Sequence, residues 1–314
     1  MDIKGTKVLV TGGAGFIGSH LVDQLSKLGC SVMALDNMSK GRVQNIRGSL
    51  DEGHVKLVRG DIRRYPAVER AVKGADYVFH AAAMIEPCNS TVDNFMIHET
   101  NATGTLNLLV ASSRSDVARF IYFSSAAVYG EPRILPLSEQ AEKTPISFYG
   151  VSKLLGEEYC KLFNSAYSLE TISLRLFNVY GPRQARGPYA GVVTSFVDRL
   201  LEGRRPIIFG DGLQTRDFIH VFDVVRAAMA AAFKRDLDGG VFNIGSGKAI
   251  TIRSLAKQLA GICDRRELTP VHQRSRQGDI RRSCANVERA ARFLGFRCRI
   301  QLDQGLSEYV ASRM

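Results

Sequence analysis

An α/β fold built on a doubly wound parallel sheet, with a smaller C-terminal α/β lobe, is predicted by three observations in this 314-residue chain. Short apolar runs alternate with amphipathic ones through the first half, as strands and helices alternate in a parallel sheet. The first run, Lys7-Val8-Leu9-Val10-Thr11, breaks into glycines at Gly12, Gly15 and Gly18, and a helix resumes behind them. A second run, Val32-Met33-Ala34-Leu35, closes on Asp36, eighteen residues past Gly18. That glycine spacing lets a strand turn tightly, lets backbone N–H groups approach a pyrophosphate and lets the helix pack on the sheet, while the acid can accept hydrogen bonds from both ribose hydroxyls. The strand before, helix after and acid at this distance together predict a Rossmann-type site for a dinucleotide.

Length and composition agree with this fold. A chain this long suits one large α/β domain plus a lobe, and 45% hydrophobic with 23% charged residues is the composition of a soluble globular protein. No run of about 18 apolar residues occurs, and the N-terminus enters a strand almost at once, so neither a membrane span nor a signal peptide is expected, and the cytoplasm is the expected location. Cys30, Cys88, Cys160, Cys263, Cys284 and Cys298 show no CxxC pair or metal-ligand spacing, which predicts reduced thiols, no disulfide and no metal. The net charge is +11, with much of the excess in Arg265, Arg266, Arg274, Arg276, Arg281 and Arg282. Without aromatic residues interleaved among them, these arginines favour an anionic small molecule and a solvated basic face over nucleic acid.

Taken in order, Val55 to Val58 leads to Gly60-Asp61-Ile62, Ala75 to His80 leads to Ala81-Ala82-Ala83, and Phe120 to Phe123 leads to Ser124-Ser125. In open α/β sheets the ligand lies beyond the carboxyl ends of the strands, so these endings should line one crevice, with Asp61 and Ile62 by the adenine. Thr91 to Ser113, carrying Asn101, and Tyr149 to Tyr167 read as long helices, and the proline-bearing stretch 131–147 reads as a surface loop. A sixth strand, Thr171 to Leu176, precedes Phe177-Asn178-Val179-Tyr180-Gly181-Pro182. There the alternation stops, and a helix from Val192 to Leu201 and the run Pro206 to Gly210 suggest the lobe. Asp217 to Val221 and the helix through Phe233 should return to the main sheet. The expected division is 1–177 plus about 212–240 for the dinucleotide domain, and about 178–211 plus 241–314 for the lobe.

Tyr149 and Lys153 stand four apart, hence on one helix face a turn from each other. A free phenol titrates near 10, and lowering it to about 7 takes roughly 4 kcal/mol of preferential phenolate stabilisation. A neighbouring ammonium and a positive nicotinamide ring can supply this, making Tyr149 a base for a hydroxyl proton. Ser125, at the end of its strand, is placed to hydrogen-bond the same hydroxyl.

The segments TGGAGFIGSH (11–20), DN (36–37), GDI (60–62), HAAA (80–83), NATGT (101–105), SSAAVYG (124–130), YGVSK (149–153), RLFNVYGPRQ (175–184), GDGLQTRDFIHV (210–221) and RQGDIRRS (276–283) span nearly the whole chain. Together they resemble the extended short-chain dehydrogenase/reductase superfamily and, within it, the UDP-sugar 4-epimerases. The resemblance implies NAD as a resident cofactor, held by Gly12, Gly15, Phe16, Ile17, Gly18, Asp36, Asn37, Asp61, Ile62, Ala81, Ala82, Ala83, Asn101 and Ser124, with Tyr149 and Lys153. It makes Tyr149 the catalytic base and acid, Lys153 its electrostatic partner and Ser125 the hydroxyl that orients the sugar. The same resemblance implies that Asn178, Arg216 and Arg276 contact the substrate's phosphates, that Asp279 holds a ribose and that Tyr189 lines the nucleotide pocket. A homodimer packed through the helices near 91–113 and 149–166 is implied as well.

Two departures from related families narrow the expected reaction. Sugar-nucleotide 4,6-dehydratases carry an Asp-Glu pair after the Ser/Thr, where this chain has Ala126-Ala127, and UDP-glucuronate decarboxylases usually carry a glutamate in the same stretch. Where the narrowest 4-epimerases place a tyrosine, this chain has Ser283, leaving room for an N-acetyl group on the sugar. The expected activity is therefore 4-epimerisation of UDP-glucose and UDP-galactose, and of the N-acetylhexosamine forms, through a 4-keto intermediate. Asp36 favours NAD over NADP by repelling a 2′-phosphate, a preference that Lys40 and Arg42 weaken slightly. The rivals are UDP-glucuronate 4-epimerisation, with Arg281 facing the uronate, another nucleotide-sugar epimerase or dehydratase activity, and a silent NAD-binding regulator that keeps the fold without the chemistry.

Overall fold

The computed structural model describes residues 3–314 except 86–90, 188–189, 235–236, 238 and 277, and describes 91–93 by backbone alone. The chain runs β1 (Lys7–Thr11), α1 (Phe16–Lys27), β2 (Ser31–Asp36), α2 (Arg47–Asp51), β3 (Val55–Arg59), α3 (Tyr65–Val72), β4 (Tyr77–His80), α4 (Thr91–His98), a π-turn (Glu99–Thr103) and α5 (Gly104–Ser113). It continues with β5 (Arg119–Ser125), a 3-10 turn (Ala126–Tyr129), α6 (Phe148–Tyr167), β6 (Glu170–Leu176), β7 (Asn178–Tyr180), α7 (Val192–Leu201), β8 (Ile207–Phe209), β9 (Thr215–His220) and α8 (Val221–Phe233). The last elements are β10 (Gly240–Ile244), β11 (Ala249–Thr251), α9 (Ile252–Ile262), β12 (Val271–Gln273), a second π-turn (Ala290–Leu294) and α10 (Leu302–Ala311).

Among the described residues, seven strands form one sheet in the order β10-β6-β5-β4-β1-β2-β3, every pair parallel. The order reverses between β1 and β4, the switch point where an open α/β sheet opens a crevice beyond its strand ends. Alternation along each strand splits the interior in two. Val8, Val10, Phe79, Ile121 and Leu174 face α1 and α8, whereas Leu9, Val78, Phe120 and Tyr122 face α3, α5 and α6. Both faces are covered, which is why the central strands read as continuous apolar runs rather than alternating ones.

The C-terminal part has its own core, where Phe196, Leu200, Ile208, Leu255, Leu259 and Tyr309 gather α7, α9 and α10 around small sheets ordered β11-β9-β7 and β12-β8. Here the structure departs from the expected path. The segment expected to rejoin the main sheet, β9, pairs instead with β7 and β11. The position beside β6 is taken by β10, which extends the main sheet to residue 244, past the boundary expected near 240. Only α8 returns, laying Val224, Ala227, Ala228 and Ala231 on the main core. The helix expected over Thr91 to Ser113 is interrupted by the π-turn.

Candidate active site

The glycine loop is shaped by contacts that exclude a Cβ. Gly12 has φ +65° and sits so close to β4 that a methyl would lie 2.8 Å from the Ala82 nitrogen; at Gly18 one would lie 2.1 Å from the Gly12 oxygen. Gly15 begins α1, whose first turn has neither a side-chain cap nor an acid, so Phe16 and Ile17 present their amides at the positive end of the helix dipole. Asp36 is buried, and its carboxylate accepts from the Ala14 nitrogen at 3.0 Å and the Met38 nitrogen at 2.8 Å, fastening the β2 end to the loop. An uncapped helix N-terminus behind a side-chain-free cradle, with a carboxylate at its rim, fits the pyrophosphate and ribose of a dinucleotide.

Other expected cofactor residues have structural tasks. Asp61 pairs with Arg63 at 2.7 Å and accepts from Asn37 at 3.1 Å, and hydrogen bonding by Arg63 holds it down at about 2. Ile62 is buried against Gly104. Ala81, Ala82 and Ala83 follow β4, half-buried, beside the glycine loop. Asn101 lies inside the first π-turn, and its amide is committed: Oδ1 accepts from the Met84 nitrogen at 2.8 Å, and Nδ2 donates to the Met84 oxygen and to Ser152 Oγ, both at 3.0 Å. Ser124 is buried and donates to Glu157 Oε1 at 2.5 Å.

The end of β5 is latched to three turns of α6. Lys153 Nζ donates to the Phe123 oxygen at 2.8 Å, Ser124 binds Glu157, and Ser125 hydrogen-bonds the Tyr149 phenol while capping the 3-10 turn through the Ala127 nitrogen. Lys153 Nζ stands 5.9 Å from the Tyr149 ring centre. Burial lowers Lys153 to about 7, against the raising influence of Cys160 and Glu157. Burial also pushes Tyr149 up to about 12, with the Ser125 hydrogen bond opposing it. The low tyrosine expected from the sequence is thus not set by the chain's own contacts, because desolvation of the phenolate outweighs one hydroxyl.

Behind these residues lies a polar network that the sequence reading missed. Arg175 binds both Glu157 oxygens, at 2.9 and 2.7 Å, and donates to Tyr129 OH at 2.8 Å, and Tyr129 donates to Asn243 at 2.6 Å. Strand register places Arg175 beside Ser124. Glu157 was detectable as the next i+4 step after Tyr149 and Lys153, and Arg175 as a lone cation in an apolar strand.

In the small sheet, Asn178 opens β7, half-buried, and Arg216 on β9 reaches Asp279 at 2.5 Å. Arg276 lies over the Phe209 ring at 4.0 Å, and Ser283 is buried. Tyr189 lies outside the described residues. Arg281, the candidate for a uronate, is forked onto Asp211 at 2.7 and 2.8 Å, and its backbone nitrogen donates to Glu131. The five described cysteines are free, and among the described residues no cluster of metal-ligating side chains is present.

The arrangement has known relatives. Residues 8–245 match the model of the NAD dependent epimerase/dehydratase family. UDP-glucose 4-epimerase of Mycolicibacterium smegmatis is 36% identical over 311 residues, covering 97% of both chains. UDP-N-acetylglucosamine 4-epimerase from Methanobrevibacter ruminantium, solved in complex with UDP-N-acetylmuramic acid, superposes with a TM-score of 0.93 at 34% identity, over 99% of this chain and 100% of the other. UDP-glucose 4-epimerase of Thermus thermophilus, solved in complex with NAD, gives 0.88 at 34% identity and 98% coverage of each chain. UDP-glucuronic acid decarboxylase 2 of Arabidopsis thaliana is 32% identical over 314 residues, spanning 96% of this chain and 67% of the plant protein.

Proposed function

The chain belongs to the NAD dependent epimerase/dehydratase family, and on that premise we propose that it interconverts UDP-glucose and UDP-galactose, and the corresponding N-acetylhexosamines, by epimerisation at C4. One observation carries the choice: Ser125, Tyr149 and Lys153 meet at the end of β5, and the turn that follows holds Ala126 and Ala127 where an elimination would need an acid and a base. Nearby carboxylates are engaged: Glu131 accepts from the Arg281 nitrogen, Glu157 pairs with Arg175, and Glu139 accepts from the Asn243 nitrogen.

NAD is the cofactor, and when bound it supplies a reversible acceptor for the hydride at C4. Gly12, Gly15, Phe16, Ile17 and Gly18 hold its pyrophosphate, Asp36 its adenosine ribose, and Ala81 to Ala83 leave room for its passage. Tyr149 removes the C4 hydroxyl proton, Ser125 hydrogen-bonds that oxygen, and the Lys153 ammonium offsets the phenolate charge. Arg216, Arg276 and Asn178 anchor the diphosphate while the 4-keto sugar turns its other face to the same tyrosine, which returns the proton. Asp279 holds the uridine ribose and Tyr189 lines its pocket. Ser283 admits the N-acetyl group because it is small. The cofactor domain comprises residues up to 177 with α8 and β10, through residue 244, and the remainder, β9 included, forms the nucleotide-sugar lobe. Arg281 is already forked onto Asp211, so a uronate carboxylate finds it occupied.

The test is a panel of UDP-glucose, UDP-galactose, UDP-N-acetylgalactosamine and UDP-glucuronate, with products separated as C4 epimers. Turnover of the first three supports the reading, and turnover of the uronate alone overturns it. Tyr149→Phe is expected to lower kcat by at least about 100-fold while NAD binding, followed by calorimetry, persists.

A further inference from the structure

One hydrogen-bonded chain connects the glycine loop to the catalytic turn through the interior. Thr11 is the last residue before Gly12, and its Oγ1 accepts from the Ala82 nitrogen at 3.2 Å and meets His80 Nδ1 at 2.8 Å. His80 Nε2 meets Thr105 Oγ1 at 2.8 Å, Thr105 donates to the Asn101 backbone carbonyl at 2.5 Å, the Asn101 side chain donates to Ser152 at 3.0 Å, and Ser152 donates to the Tyr149 backbone carbonyl at 2.8 Å. All five of these side chains are buried.

The direction of each bond follows from counting protons. Two oxygens 2.5 Å apart must share one, so the Thr105 hydroxyl is spent on the Asn101 carbonyl and can only accept from His80. His80 is therefore protonated on Nε2 and accepts at Nδ1 from Thr11, whose own oxygen takes the Ala82 amide. A second proton on the imidazole would cost the ring its hydrogen bond from Thr11 and make that hydroxyl turn its own proton elsewhere. The ring also lies against Phe120 and Tyr122, and burial together with the charge of Lys153 opposes a positive imidazole. Asn101 bonds both Met84 and Ser152 from within the π-turn, and such widened turns recur at functional sites.

We propose that this chain is a positioning device, with His80 and Ser152 as its joints, that sets the catalytic turn carrying Tyr149 from the seating of the cofactor loop. The inference rests on Tyr149 being the proton-transferring residue. Thr11, His80 and Ser152 act through others.

Two measurements test it. Nitrogen NMR of His80 in the native chain should show a single Nε2–H tautomer unchanged from about pH 5.5 to about 8.5; titration in that interval, or an Nδ1–H tautomer, overturns the proposal even where no UDP-sugar is turned over. In kinetics, Ser152→Ala should lower kcat about 10- to 100-fold with KM nearly unchanged, as expected for a misplaced reacting group, and Ser152→Thr should restore most of it. Thr11→Val should lose no further activity when combined with Ser152→Ala, although the two residues do not touch. If native turnover is present and Ser152→Ala only melts earlier with kcat intact, or the two losses multiply, the chain is a brace alone. Absence of native turnover on the whole sugar panel would instead overturn the epimerase reading.

Discussion

Arg175 and Glu157 meet in the interior with side chains only 3% and 4% exposed, so removing one charge strands the other in a medium that solvates it poorly. Glu157→Gln is expected to cost about 3–5 kcal/mol of stability, read from denaturant unfolding; an unchanged midpoint would show the pair to be idle. The buried histidines set the acid limit. Burial lowers His20 to about 4, and burial also holds His80 well below the ordinary imidazole value. Each therefore titrates lower in the folded chain than in the unfolded one, which takes up its proton first as the pH falls. Stability should be whole above about pH 6.5 and decline below it. His20 contributes about 3 kcal/mol of that loss by pH 4. Melting temperatures across this range check the sign. Little of this was legible beforehand, since His20 and His80 read as ordinary motif residues until packing buried them.

Helix α1 shows how an element is tied to its function through one atom. A methyl at Gly18 would meet the Gly12 carbonyl, which is backbone and cannot rotate aside. Gly18→Ala should lift α1 from the loop, cost about 1–3 kcal/mol, and weaken NAD binding measured by calorimetry; native affinity would show the close approach to be dispensable. Helix α6 works by periodicity, offering Tyr149, Lys153 and Glu157 on successive turns to the last three residues of β5. The i+4 spacing was readable in the chain. The committed roles of Asn101 and Ser124 were not, because they depend on a widened turn and on the register between β5 and β6.

For the whole molecule, the outer face of α4 and α6 carries Phe95, Phe148, Val151 and Leu162, all more than half exposed. We propose that a second copy covers this face in a homodimer, since such an apolar patch is unfavourable in water. Leu162→Arg should yield monomers in sedimentation analysis; a native chain that is already monomeric would refute the assembly. The basic excess, with Arg274, Arg276, Arg281 and Arg282 exposed on the lobe, places positive charge beside the residues assigned to the diphosphate.

Glycine spacing, strand-end chemistry and helical periodicity are local properties, and they were enough for the parallel sheet, the tight glycine loop at the end of β1 and the grouping of Ser125, Tyr149 and Lys153. The side chain of a lone acid, amide or arginine has no such periodic signature, so its partner emerges only when distant segments meet. Folding in three dimensions therefore decided that β9 leaves the main sheet, that Arg281 is held by Asp211 and that Glu157 is held by Arg175. It also decided that burial, rather than a neighbouring lysine, dominates the phenol of Tyr149, because desolvation depends on everything packed around a group.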